Sequence, residues 1–379
     1  MNIVITITKA VYGGYGLGFL DGKAVFVPQA LPGEVLEIEI TRSKKDHAFA
    51  RPLRILEISP ERCAPECENF GRCGGCDYLN VQYDTELALK KDIVIETLQR
   101  TAHLSQEMIP EISSHHGDRS GSRSHATFRY SSTGLPGFYE RGTNNLVPFP
   151  GNGCPLLAPE LRTALSSLKG TVPEGDIKIA AGHDNTPRFS TEKKCVIRER
   201  ECGFSFDRDI RCFFQGNRFL REAMIGKVLE FAAPRKDETF ADIACGVGFF
   251  TLPLADATSR GTGYDIDPLT IEWARHNASM NNIENVTFYA ADSGTFDTAG
   301  IHPAIVVMDP PRTGLTRKTV KRLSALAAER LIYVSCNPAT FARDLQNLQK
   351  DGYILQKLHL EDMFPGTFHI ELIALLSRR

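Results

Sequence analysis

The sequence predicts an α/β protein in which a doubly wound, mostly parallel sheet follows a small β-barrel and a cysteine-rich central region. From residue 216 onward, apolar segments alternate with helical patterns, as in a parallel sheet covered by helices. Residues 1–58 instead show short alternating runs separated by glycine-rich turns, as in a small barrel. Between them, four of the ten cysteines fall within fourteen residues. We therefore divide the chain into regions 1–58, 59–215 and 216–379.

The barrel region contains the runs IVITITKA, KAVFVPQA and EVLEIEIT, joined by the turns GGYGLG, DGK and PGE. Between residues 42 and 54, five basic side chains stand against the single acidic Asp46. Such a patch can contact phosphate groups, but a solvated surface has the same composition, and both interpretations stay open. The formal net charge of −2 gives no overall sign of a polyanionic partner. The basic residues are Arg42, Lys44, Lys45, Arg51 and Arg54.

Composition and the N-terminal segment predict a cytoplasmic protein without a membrane partner. The chain is 42% hydrophobic and 24% charged, as in ordinary globular proteins. No stretch reaches the ~18 consecutive apolar residues of a membrane span. The start, MNIVITITKAVYGG, lacks the pattern of a secretory signal. Because the cytosol is reducing, the ten cysteines need an explanation other than disulfides.

The central region combines one amphipathic helix with loops and short strands. The helix is predicted over TELALKKDIVIETLQR. Segment 112–125, which contains SSHHGDRSGSRSH, is polar and is predicted to be an exposed loop. Further β-like runs, DIKIAAG and KCVIRERECGFSF, follow between about 160 and 215.

The ends of the first three C-terminal strands carry candidate cofactor ligands. Gly246 and Gly248 follow the first strand and predict a tight turn that lets a ligand approach the backbone. Asp265 ends the second strand, where a carboxylate can accept hydrogen bonds from ribose hydroxyls. Asp292 ends the third strand and can accept from an adenine amino group. Three matches in this order favour a nucleoside cofactor.

Two alternatives bear on that interpretation. Each carboxylate can instead cap a helix, and Asp267 before Pro268 is predicted to do so. A dinucleotide fingerprint requires a third glycine for the pyrophosphate, but Phe249 and Phe250 follow Gly248. S-adenosylmethionine is therefore favoured over a dinucleotide.

The fourth and fifth strands end in candidate catalytic residues. The fourth ends in MDPPR, where Asp309 precedes a stiff proline wall and Arg312 replaces the aromatic residue expected for methylation of base amino groups. The fifth ends in YVSCNP, which brings Cys336 beside Asp309. A buried cysteine in an ordinary core is one interpretation. The other is a nucleophile that adds to carbon 6 of a pyrimidine and activates carbon 5 toward a methyl donor.

That covalent mechanism requires a base that removes the proton from carbon 5. Glu371 lies within the otherwise apolar segment FHIELIALL and is a candidate, because an unpaired buried charge is costly in plain core. The alternative is a position at a strand end that faces solvent.

Together these motifs resemble the uracil-5 RNA methyltransferases, in the branch with an N-terminal TRAM domain and an iron–sulfur cluster. That branch includes 23S ribosomal RNA enzymes and related tRNA enzymes. The resemblance covers nearly the whole chain, and the ordered combination of DPPR, SCNP and Pro-x-Thr-x-His-x-Glu is highly specific. It implies a Rossmann-like methyltransferase domain with a seven-stranded sheet whose last strand is reversed. The quoted motifs are CENFGRCGGCDYLNVQYDTELALK, FFQGN, DIACGVGFF, DPPRTG, SCNP and DMFPGTFHIE.

The resemblance also implies roles for single residues. Cys336 would be the nucleophile, Glu371 the base, and Asp309 a hydrogen-bonding partner of the target uracil. The residues implied to contact S-adenosylmethionine are Gln215, Gly246, Asp265, Asp292 and Asp309.

For the cysteine cluster, the family pattern C-x5-C-x2-C with a distant fourth cysteine implies a [4Fe–4S] cluster. It selects Cys67, Cys73, Cys76 and Cys154. Four thiolates also suit zinc, and from the residues alone iron–sulfur is favoured only narrowly because there is one close pair. Cys63 departs from the pattern and is a possible competing ligand. The remaining cysteines are expected to be packing residues: Cys195, Cys202, Cys212 and Cys245.

The expected substrate is a uridine flipped out of RNA, with ribosomal RNA preferred over tRNA. Region 1–58 is expected to grip the RNA, region 59–215 to hold the cluster and contact RNA, and region 216–379 to catalyse. We expect a monomer. A non-catalytic RNA-binding protein with a vestigial fold is the alternative, and the intact set Cys336, Glu371 and Asp309 argues against it.

Overall fold

The structure, a computed structural model, describes residues 3–132, 134–168, 174–193, 195–296 and 302–378. Its first unit is a closed five-stranded barrel with the strand order β1-β2-β3-β5-β4. The barrel that the sequence predicts for the N-terminal region is therefore confirmed. Its strands are β1 (Ile3–Val11), β2 (Tyr15–Leu20), β3 (Lys23–Pro28), β4 (Val35–Ser43) and β5 (His47–Glu57).

Alternation of side chains explains why these strands close into a barrel. Ile5, Ile7, Val25 and Val27 point inward and are almost fully buried, while their neighbours face outward. Gly18 permits the close approach of β1, because a Cβ atom there would lie 2.5 Å from the carbonyl oxygen of Thr6.

The central region forms a long helix, a separate small sheet and a hairpin. The predicted amphipathic helix is confirmed as α1. The small sheet has five strands in the order β11-β10-β7-β8-β9, and β12 pairs with β13. The elements are α1 (Tyr83–Thr101), β6 (Ile112–His115), β7 (His125–Tyr130), β8 (Pro136–Tyr139), β9 (Leu146–Pro148), α2 (Pro159–Ser167), β10 (Gly175–Ala180), β11 (Arg188–Phe189), β12 (Val196–Glu201) and β13 (Phe204–Asp209).

The C-terminal region builds the large doubly wound sheet. Its strand order is β16-β15-β14-β17-β18-β20-β19-β6, and β20 runs antiparallel to both of its neighbours. The predicted α/β class and the reversed last strand are confirmed. The elements are α3 (Arg221–Ala232), β14 (Thr239–Ile243), α4 (Thr251–Ala257), β15 (Arg260–Asp265), α5 (Pro268–Met280), β16 (Val286–Ala290), β17 (Ile305–Met308), α6 (Arg317–Leu326), β18 (Arg330–Ser335), α7 (Pro338–Lys350), β19 (Tyr353–Glu361) and β20 (Glu371–Arg378).

The prediction of an exposed loop over 112–125 is wrong for its first residues and for its last. Ile112–His115 forms β6, an eighth strand that pairs in parallel with β19. His125 begins β7. The large sheet thus takes one edge strand from the central region, and a polar sequence such as ISSH hides this because only Ile112 is buried against the core.

Two apolar layers cover the faces of the large sheet. Side chains alternate between the faces, so that Val306 packs toward α1, α6 and α7, whereas Val307 packs toward α3, α4 and α5. Each fully buried aliphatic or aromatic side chain contributes ~1.5–3 kcal/mol. Both faces are therefore closed to solvent, which leaves the strand ends as the accessible part of the sheet.

Two further findings concern the chain as a whole. Among the described residues, helices that combine sufficient length with the apolar character needed to cross a bilayer are absent. Of the four cysteines expected to pack, three are buried, but Cys202 is exposed because it lies in the tight turn between β12 and β13 with φ +52°.

Candidate active site and cysteine site

The first strand end of the large sheet forms the predicted glycine turn. Gly246 and Gly248 both have positive φ values, +55° and +96°, so the turn requires glycine or a strained residue. The Gly246 N–H donates to Asp265 Oδ2 at 3.0 Å. Beneath the turn, Asp242 is buried, and burial raises the pKa of its carboxyl to about 7 although Thr251 donates to it. The structure brings Gly246 and Asp265 together.

The other predicted carboxylates differ in their surroundings. Asp265 is half-buried, and its second oxygen accepts from the Asp267 N–H at 3.0 Å. Asp267 caps α5 by accepting from the Leu269 N–H, as predicted. Asp292 is exposed at the end of β16, and its Oδ1 accepts from the Gly294 N–H at 2.8 Å. One oxygen of Asp292 is thus committed to its own turn.

Asp309 lies at the end of β17 beside a glutamine from outside the sheet. Gln215 precedes α3, is buried, and donates from Nε2 to Asp309 Oδ2 at 3.3 Å. Gln215 Oε1 is buried and has no hydrogen-bond partner among the described residues. Burial, and then the negative charge of Asp265, raises the pKa of Asp309 to about 7. The Gln215 amide oxygen can accept a hydrogen bond, and the Asp309 carboxyl can donate one when it is protonated. This pair suits a planar ligand that carries both amide N–H and carbonyl groups.

Cys336 follows β18 and is half-buried. The next residue, Asn337, fixes its position in two ways. Its Oδ1 accepts from the Ala339 N–H at 3.0 Å and caps α7. Its Nδ2 donates to the Arg312 carbonyl oxygen at 3.1 Å, which ties the cysteine turn to the proline wall after Asp309. The asparagine and proline that end the strand therefore hold the sulfur at the strand end.

The electrostatics of the thiol depend on three charged neighbours. Burial, followed by the negative charges of Glu371 and Asp309, raises the pKa of Cys336 to about 12, while the Arg312 guanidinium and a backbone hydrogen bond oppose the rise. The thiol is accordingly protonated at neutral pH. Strand register places the three residues at neighbouring strand ends, because Met308 pairs with Tyr333 and Ser335 pairs with Leu372.

Glu371 is the first residue of β20 and is 3% exposed. The alternative of a solvent-facing strand end therefore does not describe it. Its neighbour Leu372 pairs with Ser335, the residue before the cysteine. Burial first, and then Asp309, holds the pKa of Glu371 well above its ordinary range, while Arg312 lowers it.

Sequence reasoning missed two site residues. Tyr12 reaches in from the barrel, and its hydroxyl donates to the Cys336 carbonyl oxygen at 3.5 Å. No sequence signal places that tyrosine here. His369 is mostly buried, which lowers the pKa of its imidazole to about 3, and its Nε2 lies 3.4 Å from Arg312 Nη2. His369 belongs to the motif Pro-x-Thr-x-His-x-Glu, so the sequence could have identified it as a site residue.

A groove runs between the barrel and α1 and ends near the cysteine turn. Its volume is about 670 Å³. The aromatic residues Tyr12, Phe19 and Phe26 line the barrel side, and Phe19 is 54% exposed. Arg100 lies on the helix side, and Ala339 of α7 closes one end. The basic residues predicted to contact phosphate, Arg42, Lys44, Lys45, Arg51 and Arg54, are all exposed on the barrel, although Arg51 is paired with Glu39.

The four cysteines selected from the family pattern line one pocket. Phe70, Phe138 and Phe149 form its apolar wall. Burial raises the pKa of the Cys67, Cys73 and Cys76 thiols, and the proximity of Cys154 adds to the rise. The pocket cysteines are Cys67, Cys73, Cys76 and Cys154. Cys63 is not among the residues that line it, and its sulfur lies 4.0 Å from the Leu79 carbonyl oxygen.

The cysteine segment is bound to the loop that leads into Glu371. The Asp77 and Tyr78 N–H groups donate to the Gly366 carbonyl oxygen at 2.8 and 3.0 Å. Asp77 Oδ2 accepts from the Phe368 N–H at 2.9 Å. Three hydrogen bonds therefore attach residues 77–78 of the cysteine segment to residues 366–368.

A buried ion network extends this attachment to α1. Lys90 Nζ lies 2.7 Å from Glu86 Oε1 and 2.6 Å from Asp362 Oδ1, and all three side chains are fully buried. Glu86 also accepts from the Gly366 N–H at 2.8 Å and pairs with Arg119. Because the charges compensate one another, the network holds the loop at 362–366 without exposing it to water.

The fold and the site define a class of protein. A doubly wound sheet, a glycine turn facing an acidic strand end, and a cysteine beside buried carboxylates are the parts of a methyltransferase that uses S-adenosylmethionine. A model of the tRNA (Uracil-5-)-methyltransferase family matches residues 186–379, and a TRAM domain model matches residues 3–53. The chain belongs to the tRNA (uracil-5-)-methyltransferase family and is an RNA methyltransferase, as the resemblance implied.

Individual relatives agree with this assignment. An uncharacterized RNA methyltransferase of Aquifex aeolicus is 33% identical, covering 98% of both chains. The 23S rRNA (uracil(1939)-C(5))-methyltransferase RlmD of Vibrio cholerae is 30% identical, covering 99% of this chain and 96% of that protein. Among solved structures, the tRNA (uracil-54, C5)-methyltransferase of Pyrococcus abyssi, in complex with S-adenosyl-L-homocysteine, has a TM-score of 0.75 at 23% identity. It covers 98% of this chain and 100% of that chain, and shows that the fold is shared.

Proposed function

We propose that this enzyme methylates carbon 5 of a uridine in 23S ribosomal RNA through a covalent adduct with Cys336. The observation that carries the proposal is the placement of Asp309, Cys336 and Glu371 at the adjoining ends of β17, β18 and β20. The ribosomal substrate is supported by the 30% identity to the Vibrio cholerae enzyme over 99% of this chain. Transfer RNA, the substrate named for the Pyrococcus abyssi neighbour, is the second candidate.

Cys336 opens the reaction by conjugate addition. Because its pKa is raised to about 12, the thiol gives up its proton only as the sulfur bonds to carbon 6 of uracil. The electron pair of the C5–C6 double bond moves toward the C4 carbonyl, whose oxygen takes the proton. Gln215 and Asp309, with a free amide oxygen and a carboxyl group, hold the uracil edge. Carbon 5 is then nucleophilic.

When bound, S-adenosylmethionine supplies an electrophilic methyl group that carbon 5 accepts. The cofactor would lie against the Gly246 turn, with Asp265 and Asp292 toward its ribose and adenine. Gln215 and Asp309 would also border it. These residues fit the group because the turn leaves open space above Gly246, where an added Cβ atom would meet nothing within 4 Å.

Glu371 completes the reaction. It removes the proton from carbon 5, the C5–C6 double bond and the C4 carbonyl reform, and the sulfur of Cys336 leaves and takes back the proton that the C4 oxygen held. Glu371 must be ionised at this step, and Arg312 is the group on this chain that lowers its pKa. The pKa of His369 is lowered to about 3, so this imidazole is neutral beside Arg312, and the guanidinium is the charged member of the pair.

The RNA would reach the site along the groove between the barrel and α1. Phe19 and Phe26 offer stacking surfaces for unpaired bases, and Arg100 offers a phosphate contact. We propose that residues 1–58 and 59–215 hold RNA while 216–379 catalyse, that the enzyme acts as a monomer, and that it works in the cytoplasm.

We also propose that the four pocket cysteines hold a [4Fe–4S] cluster. The four thiols line one apolar pocket, and four thiolates are the ligands of a [4Fe–4S] cluster. The cluster would order the segment that binds residues 366–368.

The test is an adduct assay with RNA that contains 5-fluorouridine, in which fluorine replaces the proton that the base removes. With S-adenosylmethionine, we expect the enzyme to form an adduct that survives denaturation, and Cys336→Ala to form none. Glu371→Gln should accumulate an adduct on ordinary methylated RNA because elimination stops. Cys202→Ala, an exposed cysteine away from the site, is the control. RNA binding without an adduct in the unaltered enzyme would overturn the mechanism, and comparison of 23S and transfer RNA identifies the substrate.

A further inference from the structure

Three metal-binding side chains meet at the outer edge of the large sheet, away from the cysteine pocket. His115 lies on β6, and His359 and Glu361 lie on β19, its parallel neighbour. In the register of this pair, Glu361 stands opposite His115, and His359 stands opposite Ser113. Strand pairing therefore places all three groups together.

The geometry of the group is compact. Glu361 Oε2 lies 3.1 Å from His359 Nε2 and 3.2 Å from His115 Nδ1. The three ligand atoms all lie within 4.8 Å of one another, and among the described residues this set alone meets that criterion. Metal–ligand bonds of ~2.0–2.2 Å in tetrahedral geometry separate ligand atoms by about 3.3 Å. The two separations from Glu361 Oε2, 3.1 and 3.2 Å, are close to that spacing.

Two further observations point to a ligand at this position. Glu361 is fully buried, and its second oxygen, Oε1, has no hydrogen-bond partner among the described residues. His359 is also fully buried, and its Nδ1 lies 2.8 Å from Ser113 Oγ, which fixes the ring with Nε2 directed into the group. An orphaned carboxylate oxygen in a dry site is costly unless something binds it.

Access to the group comes from one side only. The His115 side chain is 42% exposed, whereas those of His359 and Glu361 are closed off. A bound cation would therefore have three protein ligands and one position open to water. Two histidines and one glutamate with an open position are the ligand set of several zinc enzymes.

We propose that His115, His359 and Glu361 form a second metal site of this enzyme, which binds one zinc-like divalent cation. The site shares no residue with the cysteine pocket or with the methylation mechanism, although Glu361 stands opposite Glu371 in the register of β19 and β20 and its charge, after burial and Asp309, raises the pKa of Glu371. Two lysines, Lys91 and Lys227, lie near His359 and oppose a cation, and Glu230 offsets them in part by pairing with Lys227.

The experiment measures zinc bound to the purified holoenzyme after equilibrium dialysis against buffered Zn²⁺, together with X-ray absorption at the zinc edge. We expect the unaltered enzyme to hold one more zinc per chain than Glu361→Gln or His115→Ala, with nitrogen and oxygen ligands. His116→Ala, an exposed neighbour that contacts Tyr83 rather than the group, should bind as much zinc as the unaltered enzyme.

Two results would overturn the proposal. One is equal zinc content in the unaltered enzyme and both variants, and the other is bound zinc coordinated by sulfur alone. If Glu361→Gln does not fold, His115→Ala still tests the proposal. His115 is partly exposed, and Glu361 keeps its contact with His359 when His115 is removed.

Discussion

Lys90→Met isolates the ion network that holds the loop before Glu371. The Lys90 ammonium contacts Glu86, Asp362 and, at 3.2 Å, the Phe364 carbonyl oxygen. Methionine has a similar length and no charge. The substitution therefore removes the cation while it keeps most of the packing of the side chain.

The expected cost follows from the burial of the network. Removing one partner of a buried ion pair typically costs ~3–5 kcal/mol, because the remaining charge is left without compensation. Here Arg119 still pairs with Glu86 and the Tyr83 hydroxyl still donates to Asp362, so we expect about 3 kcal/mol. With an m value of ~3 kcal/mol per M, the urea midpoint should fall by about 1 M.

The assay is urea unfolding followed by circular dichroism at pH 8 and pH 5, with Lys91→Met on the same helix as the control. Burial raises the pKa of Glu86 while Lys90 opposes that rise, so the variant raises it further. A carboxyl whose pKa is higher in the folded state binds more protons when folded, and stability then increases as pH falls. The loss in free energy of unfolding caused by Lys90→Met should therefore be smaller at pH 5 than at pH 8.

Two outcomes would refute the reasoning. If Lys90→Met lowers the free energy of unfolding by less than about 1 kcal/mol at pH 8, the network contributes little. If the decrease is the same at both pH values, the substitution leaves no carboxylate without a compensating charge. Lys91→Met should stay within ~0.5 kcal/mol of the unaltered protein.

Three further predictions concern the site, the cysteine pocket and the groove. Asp309→Asn should increase stability above pH 7 by a few kcal/mol, since its folded pKa is raised to about 7, and urea unfolding across pH 4–8 should show that gain disappear as pH falls from 7 toward 4. An equal gain at pH 4 would contradict the raised pKa. Cys67→Ser should lower the iron content of anaerobically purified protein, whereas Cys63→Ser, outside the pocket, should not. Equal iron content in the two variants would contradict the assignment of Cys67, and not Cys63, as a cluster ligand. Phe19→Ala should weaken RNA binding about tenfold in a filter or anisotropy assay, because base stacking contributes ~1–3 kcal/mol, while Leu53→Ala, exposed on the same barrel but outside the groove, should leave it unchanged.

The sequence predicts that the strand ends carrying Asp309 and Cys336 are neighbours, and there is a physical reason for this. Carboxyl ends of parallel strands meet at one edge of a doubly wound sheet, so Asp309 and Cys336 had to lie close once the alternation was recognised. The Asn-Pro after Cys336 marked the strand end, and the capping geometry of Asn337 explains why the chain turns there. Local signals were enough for these residues.

Features that depend on distant pairing were not predictable in the same way. β6 is short and polar, and its partner β19 lies far along the chain, so no local periodicity reveals the strand. The position of Tyr12 beside Cys336 depends on how the barrel docks, which a turn signal such as GGYG does not encode. The exposure of Cys202 reflects turn geometry that outweighed the general tendency of cysteine to be buried.

The eighth strand has a consequence for synthesis on the ribosome. β6 emerges early, but β19, the strand with which it pairs in the described part of the chain, is made near the end of translation. At ~5–20 residues per second, residues 112–115 wait on the order of tens of seconds before they can pair. Completion of the large sheet is therefore a late event that couples the first half of the newborn chain to its last strands, and a chain truncated before β19 never closes that edge.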